Sequence, residues 1–251
     1  MIDNLFPAHR LAMLPGRWVL APTGGKPQVE AAFAAGDPLP ALDDLLAQHL
    51  PGGRLRVTLS HHHVRLFLAA APPVWLGRAE MHAWLASQLA SSLAQADHAD
   101  TWRLTWDITP PGRPIVVAAM PEAVLQGLQG VSQQRGIKLV STRPWLADAW
   151  RRRRQLARAS GWYAVLEPGR QVLLRLRAGQ VTTLRQRHCG DDAVAELDAL
   201  LTREALLGDL PAGGDLWLER FGVGGDWSAL AGRYSVHEFA GPLDPAQALL
   251  S

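Results

Sequence analysis

The chain has a single cysteine, Cys189, only two lysines, Lys26 and Lys138, and no apolar run long enough to span a bilayer. A lone cysteine excludes an intrachain disulfide and any cysteine-ligated metal cluster. The most apolar stretch, LFLAAAPPVWL at 66–76, is too short for a spanning helix and is interrupted by Pro72 and Pro73. The first ten residues, MIDNLFPAHR, carry an acid at position 3 and lack the apolar centre of a signal peptide. A cytoplasmic protein is expected, reaching the inner membrane only through a partner. Charge of one sign is also missing. The 25 basic residues face 23 acidic ones, for a net charge of +2, which removes the bulk argument for nucleic acid. The excess of arginine over lysine, with abundant alanine, reads as genomic composition bias.

What is present is a chain that is 48% hydrophobic, enough for a substantial core. RLAML (10–14), the Pro15-Gly16 turn and RWVLA (17–21) predict a hairpin. QVEAAFA (28–34), after Gly24-Gly25, supplies a third strand. A short helix carrying Leu42, Leu45, Leu46 and Leu50 follows, then strands RLRVTLS and VRLFLAA on either side of His61, His62 and His63. Residues 78–96 form the clearest helix. TWRLTWDI (101–108) and PIVVAAM (114–120) pair around Pro110-Pro111-Gly112, and a helix opening at Pro121 stops at Gly136. IKLVS is a strand, and 144–160 is read as one helix.

From residue 161 the order begins again. GWYAVLEPGRQVLLRLRAGQVTTLRQRH (161–188) gives three strands and two tight turns, followed by a helix at 192–207, strand DLWLERF, a short helix and strand SVHEF. Each half opens with a three-stranded meander, then helix, then strand, an internal repetition that is a strong architectural signal.

LPGRWVLAP, EPGRQVLLRLRAGQV and the later LLTREALL, within this repeated order, resemble the cytoplasmic actin-like proteins of type IV pilus and type II secretion machines, a group that includes PilM and the cytoplasmic part of GspL. The resemblance implies an α/β, duplicated actin-like (ribonuclease-H-like) fold with two lobes of mixed sheets flanked by helices. The first lobe, with an inserted helix and strand subdomain, would span 1–158, and a smaller second lobe 159–251. It further implies a scaffold that binds the cytoplasmic tail of an inner-membrane assembly protein and a motor ATPase, with homo-oligomers as a further expectation.

A working actin-like ATPase holds metal and phosphate between two aspartate-glycine hairpin turns, with a glycine-rich segment on the adenine. Here the first turn, Leu14-Pro15-Gly16-Arg17, has no carboxylate. At the second, Glu167 stands in place of aspartate and Pro168 removes a backbone donor. Glu167, Gly169, Gly224 and Gly225 are therefore the vestigial cofactor-binding candidates. The expectation is no catalytic residue, no ATP hydrolysis and no required cofactor, ATP with Mg being disfavoured. The alternatives are a diverged ATP-binding protein or kinase, and an arginine-rich module for nucleic acid or anionic lipid.

Two further clusters stand out. On a strand, His61 and His63 would share one face and His62 the other, and no Asp, Glu or Cys lies within ten residues to complete a metal site, so no metal is expected. Trp145, Trp150, Arg151, Arg152, Arg153 and Arg154 form the candidate partner- or lipid-binding segment, against the plainer reading of a solvated helix end whose cations oppose the helix dipole. His188 and Cys189, adjacent on a strand, point to opposite faces and do not form a nucleophile-base pair.

Overall fold

The computed structural model describes residues 8–23, 27–34, 36–92, 101–107, 112–208, 213–239 and 250. The Gly24-Gly25 turn, Pro110, Pro111 and the expected helix residues 93–96 lie outside them. The first lobe begins with the meander β1 (His9–Leu14), β2 (Arg17–Ala21) and β3 (Val29–Ala32), followed by α1 (Leu39–His49) and β4 (Gly53–Leu59). An insertion then runs through β5 (Arg65–Ala69), α2 (Arg78–Ser92), β6 (Trp102–Trp106) and β7 (Ile115–Pro121). The lobe closes with α3 (Glu122–Gln134), β8 (Ile137–Pro144) and α4 (Trp145–Arg152). The second lobe contains β9 (Gly161–Glu167), β10 (Arg170–Arg177), β11 (Gln180–His188), α5 (Ala193–Leu207), β12 (Gly214–Arg220), α6 (Ser228–Ala231) and β13 (Tyr234–Glu238).

The two five-stranded sheets have the same plan, β3-β2-β1-β4-β8 and β11-β10-β9-β12-β13. In each, the meander is antiparallel, and its first strand pairs in parallel with the strand that follows the helix, β1 with β4 and β9 with β12. The predicted duplication is thus present in topology as well as in element order. The inserted strands form a separate antiparallel sheet, β5-β7-β6.

Alternation along β9 explains how the layers join. Trp162, Ala164 and Leu166 face a core with α5 residues Leu197, Leu200 and Leu201 and with Leu230 of α6. Tyr163 and Val165 face the opposite way, into a larger core that also contains Leu11 and Trp18 of the first sheet, Leu46 of α1 and Leu128 of α3. One hydrophobic core therefore runs through both lobes. The inserted sheet has its own small core, where Leu85 and Leu89 of α2 meet Val117 and Ala119.

Local signals place the ends of the elements. Asp192 caps α5 by accepting from Ala195 N at 3.0 Å, and the acid Glu122 opens α3. Residues 144–160 do not form one helix. At Arg153 the backbone leaves helical geometry (φ −106°, ψ 60°), α4 ends, and a short 3₁₀ helix, Arg154–Arg158, begins. The β10–β11 turn closes against this segment, with Gly179 N donating to Ala159 O at 2.7 Å. Gly179 has φ +76°, and a Cβ there would lie 1.8 Å from Ala157 O. Gly179→Ala should therefore lower the unfolding free energy measured in urea by about 2 kcal/mol or more, from combined backbone strain and overlap. Loss smaller than a surface Gly→Ala control would show that the turn gives way freely.

Candidate functional site at the lobe junction

The three histidines lie on a turn after β4, not on a strand, and this turn fills the space between the two lobes. Ser60 N donates to Met13 O at 3.0 Å, so the turn starts against β1. Glu167, at the end of β9, reaches it from the other lobe. Its Oε2 accepts from Ser60 Oγ at 2.8 Å, its Oε1 accepts from His61 N at 2.7 Å, and His61 Nδ1 lies 3.0 Å from Oε1. The imidazole lacks good hydrogen-bond angles, so it acts through proximity more than through a directed bond. His61 and Glu167 are 1% and 2% exposed, which makes this a buried contact. The acid missing from the neighbourhood of the histidines in sequence is supplied from 106 residues away.

His62 and His63 extend the contact to both hairpin turns. His62 Nε2 is 2.8 Å from Pro168 O, and His63 Nε2 is 3.1 Å from Leu14 O. Gly169 has φ +78°, and a Cβ there would sit 3.0 Å from His62 Cε1, so the His62 ring lies directly on the glycine of the second turn. From β11, Gln186 Nε2 donates to His61 O at 2.7 Å and to Val64 O at 2.8 Å, while its Oε1 accepts from Leu66 N at 2.7 Å. An aromatic stack continues inward. The rings of His61 and Trp145 are 5.2 Å apart, and Phe221 meets Trp145 edge-on at 4.0 Å.

Electrostatics follow from this burial. Desolvation alone would raise the Glu167 carboxyl, but attraction to His61 and hydrogen bonding from His61 and Ser60 outweigh it, and the group sits below its ordinary range. Burial pulls His63 down, against its bond to Leu14 O, so that a neutral ring with a proton on Nε2 suits the carbonyl it faces. Burial, then the charges of Glu196 and Asp192, push the Cys189 thiol up, the opposite of an activated nucleophile. Among the described residues no group of three His, Cys, Asp or Glu could hold a metal ion.

The other sequence candidates divide. Gly224 is exposed after β12, and Gly225 (φ +138°) is crowded, since a Cβ there would lie 2.6 Å from Val194 Cγ2. Trp145 is 1% exposed and is part of the junction core, so it is not a surface partner contact. Arg152 and Arg153 are also corrected. Both guanidiniums approach the buried carboxylate of Glu219, at 3.6 Å and 3.2 Å, and Arg153 lies 4.1 Å over the Phe239 ring. Tyr163 donates to the same carboxylate at 2.5 Å, and burial, then the Glu219 charge, push its phenol well up. Arg153 is therefore held at the buried acid, whereas Arg152 stays at the surface and reaches the same carboxylate from there. The side chain of Arg154 lies outside the described residues.

Trp150 and Arg151 do reach a surface site that sequence reasoning did not find. Together with Leu146 and Arg143, and with Trp106 and Arg113 from the inserted sheet, they line a groove of about 530 Å³ where that sheet, α4 and the β10–β11 turn meet. Burial, then the nearby Arg151 charge, pull the Arg143 guanidinium down, while Asp148 lies 3.9 Å from it. Arg113, Arg143 and Arg151 line the groove together with Asp107 over an apolar floor. It joins segments far apart in sequence, so no local motif announces it.

No family model and no curated protein matches the chain. Solved structures do match. A Bacteroides thetaiotaomicron protein of unknown function, described as having an actin-like ATPase fold, superimposes with a TM-score of 0.57 at 8% identity, covering 92% of this chain and 90% of that one. The chain has the actin-like ATPase fold. A PilM–PilN type IV pilus biogenesis complex matches with a TM-score of 0.61 at 15% identity, over 96% of this chain and 89% of that one. The cytoplasmic domain of EpsL, an inner-membrane component of the Vibrio cholerae type II secretion system, matches with a TM-score of 0.52 at 13% identity, over 97% and 91%. In this actin-like chain, the positions expected to face phosphate are the β1–β2 and β9–β10 turns, and here His63 and His62 contact them.

Removing the Glu167 carboxylate would leave Ser60 Oγ and His61 N without their buried acceptor. Glu167→Ala should cost about 3 kcal/mol at pH 7, and Glu167→Gln less. Because the folded carboxyl is lowered, its stabilisation is complete above the ordinary carboxylate range and is lost as pH falls through the folded value. Urea stability of the wild type should decline below about pH 4.5, with a shallower decline in Glu167→Gln. Parallel pH profiles of the two proteins would contradict this assignment.

Proposed function

We propose that this chain is a non-catalytic actin-like adaptor, which binds the cytoplasmic tail of a membrane-anchored partner in a pilus- or secretion-type assembly at the inner membrane. A motor ATPase of the same machine is its second partner. The observation that carries the reading is the contrast between two sites. The junction is packed with His61, Trp145 and Phe221, while the groove bounded by Trp106, Trp150 and Arg151 is open. Likeness to the PilM–PilN complex and to the EpsL domain supports the class of partner.

A nucleotide at the junction would have to displace the His61–His63 turn. That means breaking its bonds to Glu167, Pro168 and Leu14 and separating an aromatic stack that belongs to the core. The first turn also contributes no carboxylate for magnesium. The groove needs no such rearrangement. Its apolar floor and its arginines suit an extended segment with alternating apolar side chains and an acidic residue.

Two measurements test the adaptor. Calorimetry with Mg-ATP is expected to show no binding, and tight binding that weakens in Glu167→Gln would overturn the reading. Affinity capture from membrane extract is expected to recover a bitopic protein. Arg151→Glu, or Ala147→Trp to fill the groove, should weaken binding of a peptide from that protein's tail by about tenfold or more. Unchanged binding in both variants would exclude the groove as the docking site.

A further inference from the structure

We infer that one end of the inserted sheet, carrying the Val74–Trp75 tip, rests on an anionic lipid bilayer. Val74 and Trp75 are 59% and 72% exposed, two of the four large hydrophobic side chains found exposed among the described residues, and they are consecutive. Their loop is tied at both ends. Trp84 Nε1 donates to Ala70 O at 3.3 Å, Pro72 is buried, and Gly77 N donates to Glu80 Oε2 at 2.7 Å. Between these anchors Pro73 stiffens the backbone, so the tip is held out in solvent by structure, and little ordering entropy remains to be lost on contact.

The strand register shows what lies beside the tip. In β5–β7 pairing, Ala69 is opposite Ile115, so the loop leaving β5 emerges beside the segment entering β7, where Arg113 lies. Arg78 opens α2 directly after the loop. Both guanidiniums are exposed, and neither has a hydrogen-bond or ion-pair partner among the described residues. The acids nearby are Glu80, which accepts from Gly77 N and keeps its charge, and Asp107 just after β6, so the arginines act beside two opposing charges and the exposed indole contributes the larger share of the contact. An exposed tryptophan flanked by unpaired arginines is the composition suited to the headgroup region of an anionic membrane, where the indole is part apolar and part wet and each arginine gains from the surface potential. Trp106, Asp107 and Arg113 at this same end also line the groove. A tail leaving the bilayer would thus meet its docking site at once. That last link rests on the adaptor reading, whereas the lipid contact does not.

The test is co-sedimentation of the purified chain, without partner, with vesicles of phosphatidylethanolamine and phosphatidylglycerol and with vesicles of phosphatidylcholine alone. Binding is expected to the anionic vesicles, weakened about tenfold or more by Trp75→Ser and about fivefold by each of Arg78→Gln and Arg113→Gln. Brominated lipid should quench a tryptophan component that Trp75→Ser removes. Absence of wild-type binding, or equal binding and quenching in Trp75→Ser, would overturn the inference. So would loss of tail-peptide binding in Trp75→Ser with vesicle binding intact, which would make the tip a protein contact. Failure of the groove variants to affect peptide binding would count against the adaptor and leave the vesicle result untouched.

Discussion

The buried carboxylate of Glu167 is the polar contact around which the junction of the two lobes is arranged. It ends β9, where alternation turns it towards the large core, and it is met there by Ser60 and His61 on the far side of the junction. An unpaired carboxylate in that environment would be far too costly to keep charged, so the turn after β4 must be present whenever the lobes are closed. The same turn places His62 on Gly169 and His63 on Leu14 O. The contact between the lobes and the occupation of the space between the hairpin turns are consequently made by the same turn.

A second buried carboxylate repeats the device further along the interface. Glu219 on β12 gathers Arg152 and Arg153 from the end of α4, and Tyr163 from β9. The break at Arg153 is what allows this. A continuous helix through 144–160 would carry successive arginines around its circumference, whereas the change of backbone direction brings two of them to one acid. Arg151, one residue earlier, remains on the groove side. Arg151, Arg152 and Arg153 thus do not act as a unit, and consecutive positions in the sequence overstate how far their charges converge.

The fold was legible because it is written in local terms. Strand alternation, glycine at Gly16, Gly169 and Gly179 in the turns, and the leucine spacings of α1 and α5 each depend on near neighbours, and repeated order did the rest. The junction was not legible because its partners are distant. His61 looked like an unsupported metal candidate, since the acid it meets is on another strand of another sheet. Strand alternation was also the wrong frame for the histidines, which lie between two strands and not on one. In fact β4 ends at Leu59, and the peptide groups beyond it bond across the junction to Glu167 and Gln186. The groove, with lining residues from both halves of the chain, has no sequence signature at all.

Equivalent strands in the two sheets show how the same topology was put to different uses. β4 and β12 are counterparts, each parallel to the first strand of its meander, and each is followed by a segment that enters the junction. After β4 that segment supplies polar hydrogen-bonding groups, Ser60 to His63. After β12 it supplies Phe221, whose N–H bonds to Leu166 O and whose ring meets Trp145. One contributes the polar half of the seam and the other the apolar half. Glu167, the residue that stands where a phosphate-loop acid would be expected, lies where the two meet and accepts a hydrogen bond on each oxygen from the first. An acid that each lobe helps to hold is suited to fixing how the lobes meet, and the groove, lined from three sheets, depends on that fixed geometry.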